Sequence, residues 1–467
     1  MRSASLVALA ALGLAGCSTL PPMQTPSVAT PAQFRHAASW SHAAPGDHLD
    51  RGEWWRAFGD PVLDGLMGRL DERTPTLAAA LARYDRALAA ARATRADLFP
   101  SVDLSGSASR ERLSSGRPIG PGTPIIANQY IFGIGLNYEL DLWGRVRNSV
   151  RAARADAQAQ EAALHSARLS LQASVADTYI QLRAIDAEQG LLARTVAAFT
   201  RADDLIRTRY EGGIASGVDR SRSLAQLANA RARSEALKAQ RSALEHRIAA
   251  LVGEPASSFT IAPAENKLTL PEFPAGLPSE LLQRRPDIAE AQRRLVAANA
   301  RIGVARSAFY PSINLGLGAG YQATEAPVIS ADTLFWGLGP VSTLLNLFDG
   351  GQRRARLAIS RADYAELAAA YRQTVLDGFQ EVEDGLSRSN ALANQDREQR
   401  IATGAAARAE QLAFDRYRDG AADYLEVVTA QTAALSAQQA SIAVSFDRAR
   451  TAIALVRALG GGTPTAT

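Results

Sequence analysis

The chain is poor in the residues that most often carry chemistry. Its 467 residues include one cysteine, Cys17, and five histidines. A lone cysteine excludes disulfides within the chain and cysteine-clustered metal sites. His36, His42 and His48 recur in the N-terminal stretch at a spacing that matches no compact metal site, while His165 and His246 stand singly in helix-forming segments. Nowhere do a nucleophile, a base and an orienting group come together. The glycines of IFGIGLNY (131–138) alternate along an extended segment, so they make no phosphate-cradling loop. The residues argue against an enzyme, and no metal or cofactor is expected. Lysine is nearly absent too, with only Lys238 and Lys267, so arginine carries the basic charge. With 51 Lys+Arg against 47 Asp+Glu, interspersed and without aromatic-flanked basic blocks, nothing marks a nucleic-acid partner.

Proline is missing from two long tracts, between Pro124 and Pro255 and between Pro340 and Pro464. Long apolar runs are missing as well once the first residues are passed. The longest, TLFWGLGPVSTLLNLF (333–348), is broken by Gly337, Gly339 and Pro340. A membrane span in this chain must therefore be made of strands.

The first residues, MRSASLVALAALGLAGCS, give a basic start, an apolar run and small residues, the pattern of a secretory signal. Leu14-Ala15-Gly16-Cys17 resembles a bacterial lipobox, which implies cleavage before Cys17 and acylation of its sulfur and new N-terminus. An ordinary signal with an incidental cysteine is the alternative; the only cysteine standing at the lipidation position favours the lipid. Ser18 after it implies, by the same analogy, the outer membrane. Residues 18–50, rich in Pro, Ser, Thr, Ala and His, read as a tether.

The proline-free tracts are helical. In 144–211, Leu164, Leu171, Val175, Thr178, Leu182 and Ile185 recur at spacings of three, four and seven; Tyr364, Leu367, Tyr371, Val375, Phe379, Val382 and Leu386 do the same in 351–419. At a rise of about 1.5 Å per residue such helices would be roughly 100 Å long. Each tract ends in a glycine turn, RYEGGIASGVD (209–219) or RYRDGAADYLE (416–426), and a second helix returns towards Gly253 or Gly460. The chain thus says the same thing twice: Pro100 matches Pro311, Arg154-Ala155-Asp156 matches Arg361-Ala362-Asp363, and Arg209-Tyr210 matches Arg416-Tyr417. The expected organisation is a signal peptide (1–16), a lipidated N-terminus and tether (17–50), a first repeat (51–270) and a second (271–467), the halves joined by PEFPAGLP.

Between the helices lie short alternating segments, near 100–109 and 130–143 in the first half and 311–321 and 334–348 in the second. From 130 to 142, Tyr130, Phe132, Ile134, Leu136, Tyr138, Leu140 and Leu142 share one face; Gly133, Gly135, Asn137, Glu139 and Asp141 share the other. An apolar face ending in aromatics, backed by a small or acidic one, is how a transmembrane barrel strand reads. A soluble sandwich strand alternates equally well, but a glycine face offers little to pack a core. The last strand is imperfect, its alternation slipping near Pro340. Four strands cannot close a barrel, and hydrocarbon does not tolerate an open sheet edge, so the protomer must borrow strands from other copies of itself.

The lipobox, GEWWRAFGDPVLDGL (52–66), the LFPS/FYPS pair (98–101 and 309–312), YELDLWGRVRNS (138–149), LFDGGQRR (347–354) and the RY–G turns together resemble the TolC family of outer-membrane efflux channels, in its lipoprotein branch. The resemblance implies a mainly α fold with membrane β: a homotrimer, with a twelve-stranded β-barrel in the outer-membrane lipids, four strands from each protomer, continued by a long α-helical barrel. It implies a collar from 50–70, 254–285 and the C-terminal region. The implied partners are a periplasmic adaptor and an inner-membrane proton-driven transporter, and the implied function is the exit duct for small toxic compounds. Docking would fall at the hairpin tips, Gly213 and Gly420. Tyr210 and Tyr417 match the position that locks neighbouring coils, and Glu426 that of an acidic gate residue; Thr429 stands where a second acid would be. As residues, the tyrosines could equally pack the helix seam and Glu426 could be a solvated helix residue. The same fold could serve protein secretion or metal-ion efflux. From another class, a periplasmic coiled-coil lipoprotein without a pore remains open.

Overall fold

In the computed structural model the described residues are 19–24, 26–28, 34–35, 52–113, 125–264, 284–325 and 327–461. The signal segment, Cys17, His36, His42, His48 and the connector 271–278 lie outside them. Among the described residues are seven α-helices: α1 (Pro61–Arg73), α2 (Pro75–Ala96), α3 (Arg145–Glu211), α4 (Gly217–Leu251), α5 (Pro286–Ser307), α6 (Gln352–Arg418) and α7 (Tyr424–Ala458). Four strands, β1 (Ser101–Leu113), β2 (Ile125–Glu139), β3 (Ser312–Ala323) and β4 (Leu334–Leu344), complete them. The internal repeat is metrical: α2 and α5 have 22 residues each, α3 and α6 have 67, and α4 and α7 have 35. Among the described residues no helix is long and apolar enough to cross a membrane.

The turns explain where the long helices stop. Gly213 and Gly420 have φ of 74° and 76°, a region open to glycine at little cost. After α3, the Ile214 N–H donates to the Arg209 carbonyl and the Gly213 N–H to that of Tyr210; after α6, Ala421 and Gly420 repeat this on Arg416 and Tyr417. Both are Schellman closures. The return helices begin on side-chain caps: Ser216 and Asp219 form a reciprocal capping box at α4, and Asp423 accepts the Glu426 N–H at α7.

The chain folds as two compact units that cut across the repeat. One takes the N-terminal segment to Ser27, Arg83–Glu161 and Glu290–Arg372; the other takes Val28–Ala82, Ala162–Ala289 and Gln373–Thr467. The first holds the antiparallel sheet, in the order β1-β2-β3-β4. Its last pairing shifts register beside Pro340: Leu315 faces Val341, but Leu317 faces Leu338. Residues 19–24 are docked here. The Thr19 hydroxyl donates to the Trp143 and Gly303 carbonyls at 2.9 Å each and accepts from the Asn148 amide; Asn299 binds the Pro21 carbonyl, and the Tyr364 hydroxyl the Gln24 carbonyl. A Cβ on Gly303 would lie 2.6 Å from the Asn148 amide, so this close approach needs glycine.

The second unit holds the main core. Trp54, Trp55 and Phe58, with Leu63, Met67 and Leu70 of α1, pack on Val175, Tyr179 and Ile180 of α3, Ile248 of α4 and Val252 just after it, and Ile453 and Val456 of α7. A buried polar chain runs through it. Asp60 caps α1 and accepts the Tyr179 hydroxyl at 2.6 Å; Arg183 donates to that hydroxyl and to Asp186, which also pairs with Arg241 at 2.7 Å. Arg183 and Arg241 reach on to the carbonyls of Ala262 and Ile261, fixing the segment after α4. Burial, then the bond to Asp60, pushes the Tyr179 phenol well above its ordinary range.

Candidate functional site

Two features outside these cores need a purpose. The first is one face of the sheet. The strand register aligns Val102, Leu104 and Ala108 of β1 with Leu136, Ile134 and Tyr130 of β2. It then aligns Phe132, Ile134 and Leu136 with Tyr321, Ala319 and Leu317 of β3, and these with Leu334, Trp336 and Leu338 of β4. One apolar face therefore spans all four strands. It is bare: Leu104 is 67% exposed, Ile134 53%, Trp336 78% and Leu338 84%. Apolar surface of this extent, uncovered by any helix among the described residues, is a liability in water and a requirement in lipid. The opposite face carries Ser105, Gly133 and Gly320 in one row, where a Cβ on Gly133 would come within 2.8 Å of the Ala319 carbonyl. β1 and β4 each have a single strand neighbour among the described residues, so two edges are unpaired.

The second feature is the pair of hairpin tips, within the other unit. Ile206 of α3 packs with Tyr417 of α6 and with Tyr424 and Val427 of α7, a small core that holds the two tips together. The Tyr417 and Tyr424 rings are 5.6 Å apart. Arg209 reaches across from the end of α3. Its guanidinium lies 4.8 Å over the Tyr417 ring and donates to the Tyr417 and Arg418 carbonyls, the unsatisfied end of α6. Burial, reinforced by Tyr417, pushes the Tyr424 phenol up to about 12. A polar rung sits above: the Tyr424 hydroxyl donates to Gln226, whose amide donates to Gln431.

The residues singled out from the sequence fall in different settings here. Tyr417 is buried in the tip core, whereas Tyr210, its repeat partner, is 49% exposed. Glu426 pairs with Arg416 at 2.7 Å on the surface of its own hairpin, and the Thr429 hydroxyl donates back to the Leu425 carbonyl. Gly213 and Gly420 stand at the tips with open space around their α-carbons. Arg209, Arg416 and Tyr424 were not singled out. The doubled Arg-Tyr was the available signal, but it could not say that Arg209 crosses to the other hairpin while Arg416 stays on its own.

The family model for outer membrane efflux proteins matches residues 66–254 and 277–461. The toluene efflux pump outer membrane protein TtgC of Pseudomonas putida is 34% identical over 464 residues, covering 99% of this chain and 96% of that one. The pyoverdine export outer membrane protein OpmQ of Pseudomonas aeruginosa is 32% identical, covering 99% and 97%. The solved outer-membrane channel OprN superposes with a TM-score of 0.86 at 30% identity, covering 95% of this chain and 99% of that one. With the bare apolar sheet face, the repeated helical hairpins and these matches over nearly its whole length, the chain belongs to the outer membrane efflux protein family.

Proposed function

We infer that the protein is the outer-membrane exit duct of a tripartite efflux pump and conducts small organic toxic compounds without chemistry of its own. The observation that carries this is the apolar face shared by four strands whose two edges are unpaired. Three copies would join β4 of one protomer to β1 of the next and close a twelve-stranded barrel, with the apolar face to lipid and the glycine face to the lumen. The long hairpins then carry the conduit into the periplasm. Pump membership follows the relatives, whose names place them in toluene efflux and pyoverdine export. A periplasmic adaptor docks at the tips around Gly213 and Gly420, and an inner-membrane proton-driven transporter supplies the energy. Cys17 carries the lipid.

The tips form the resting gate. The Arg209–Tyr417 contact and the Tyr417–Tyr424 core hold the two hairpins of one protomer together. Tyr210 is left exposed to meet a neighbouring protomer, and Glu426 with Arg416 lines the constriction. The test is reconstitution of the purified protein in planar lipid bilayers, beside extraction of the Cys17→Ser variant. Discrete conductance steps, and a variant that still needs detergent for release, are expected. Release by carbonate without conductance would instead identify an anchored coiled-coil protein.

A further inference from the structure

The helices that carry the four strands enclose a feature that the apolar sheet face does not explain. Two open cavities, of about 630 Å³ and about 460 Å³, share Ala153, Asp156 and Arg301 and so form one groove. Its walls come from α2, α3, α5 and α6, the helices that continue β1, β2, β3 and β4. Seven arginines line it against one carboxylate, that of Asp156. Four of the seven are paired, Arg301 with Asp156 at 2.5 Å and the others with carboxylates at the rim. Arg83, Arg86 and Arg356 are exposed, and their guanidinium groups make no hydrogen bond or ion pair among the described residues.

The groove lies on a definite side of the layer. Arg145, at its upper end, clasps Glu139 through two bonds of 2.7 and 2.6 Å, and Glu139 belongs to the glycine-bearing face of β2 with Gly133, Gly135 and Asn137. Arg301 is two residues from Asn299, which holds the docked N-terminal segment, and two residues place the two side chains on opposite sides of a helix. The arginines therefore continue the glycine face.

We propose that this groove is an oxyanion-binding station on the lumen wall, through which carboxylate- or phosphate-bearing small molecules pass preferentially. The proposal rests on the duct reading above, in which the glycine face is the lumen. Three copies set nine unpaired guanidinium groups around one axis. Walls of low dielectric focus such a field and raise the local concentration of anions. Guanidinium forks bind carboxylate and phosphate oxygens bidentately, and because the arginines are spread along the groove, an anion has successive partners to move between.

The experiment is single-channel recording on the full-length protein under a KCl gradient, with citrate and then inorganic pyrophosphate added as blockers. The wild type is compared with Arg83→Gln/Arg86→Gln/Arg356→Gln and with the corresponding triple Lys variant. Expected are a reversal potential on the anion side for the wild type and a shift towards cations in the Gln variant. Block by both anions should weaken at least tenfold in the Gln variant, while the Lys variant keeps the reversal potential and loses part of the block. Identical reversal potentials and identical block in wild type and Gln variant would overturn the station and leave the duct intact. Block by pyrophosphate alone would overturn the carboxylate half of the proposal. Absence of any conductance in the wild type would overturn the duct reading and the station with it.

Discussion

Arg209 and Arg416 occupy equivalent places in the two halves, so equal substitutions should act equally if the repeat alone set their roles. The structure gives them different work. Arg209→Ala removes a cation–π contact, about 0.5–1 kcal/mol at a partly exposed site, and two charge-assisted bonds to the end of α6 at 3.4 and 3.2 Å. Bonds of that length fall at the low end of the usual range, and the freed carbonyls can find water, so the total is about 2 kcal/mol. Arg416→Ala removes an ion pair whose side chains are 57% and 41% exposed and one exposed bond of 3.3 Å to the Ala421 carbonyl of its own turn, together worth about 1 kcal/mol after screening. At about 1.4 kcal/mol per factor of ten, amide exchange of peptides covering 414–428 should speed up roughly 30-fold in the first variant and about fivefold in the second. Hydrogen exchange read by mass spectrometry on the detergent-solubilised protein measures both. Equal acceleration, or none in Arg209→Ala, would refute the claim that Arg209 ties the tips together.

The sheet faces predict opposite outcomes for one kind of change. Ile134→Arg puts a charge on the apolar face at about 2–4 kcal/mol near the bilayer midplane and should abolish outer-membrane assembly, whereas Ser105→Arg, on the other face, should assemble normally; membrane fractionation reads both. In the core, Asp186→Ala strands Arg183 and Arg241 without their shared partner. Breaking such a pair costs about 3–5 kcal/mol, seen as a lower denaturation midpoint in urea. Tyr424, held at about 12, should show a phenolate absorbance step near that pH that is absent from Tyr424→Phe. Because its folded pKa is raised, its stabilising contribution is full below pH 10, the ordinary tyrosine value, and is lost as the pH rises through about 12, so the protection of the tip against unfolding, read as the urea midpoint relative to Tyr424→Phe, should be constant below pH 10 and fall above it.

Much of this was written in local patterns. Alternation over 130–142 marks the lipid face because side-chain direction in a strand is fixed by parity, and the register keeps that parity across β1, β2 and β3. Glycine after Arg-Tyr marks the tips because a Schellman closure needs a left-handed residue. What the sequence hid depends on contacts between distant segments. Tyr210 and Tyr417 look alike, yet only Tyr417 meets a partner hairpin that buries it. Residues 19–24, the start of the stretch read as a tether, dock through backbone carbonyls, which leave no residue signature. Arginines spread over four helices form one groove only after the sheet has set those helices side by side.

The account stands on four strands per chain being completed by other copies. The native mass of the detergent-solubilised protein, by light scattering with the detergent contribution subtracted, tests this most directly. Three protomers per particle is the predicted result; a monomer stable across detergents would leave the strand edges unpaired and contradict the account.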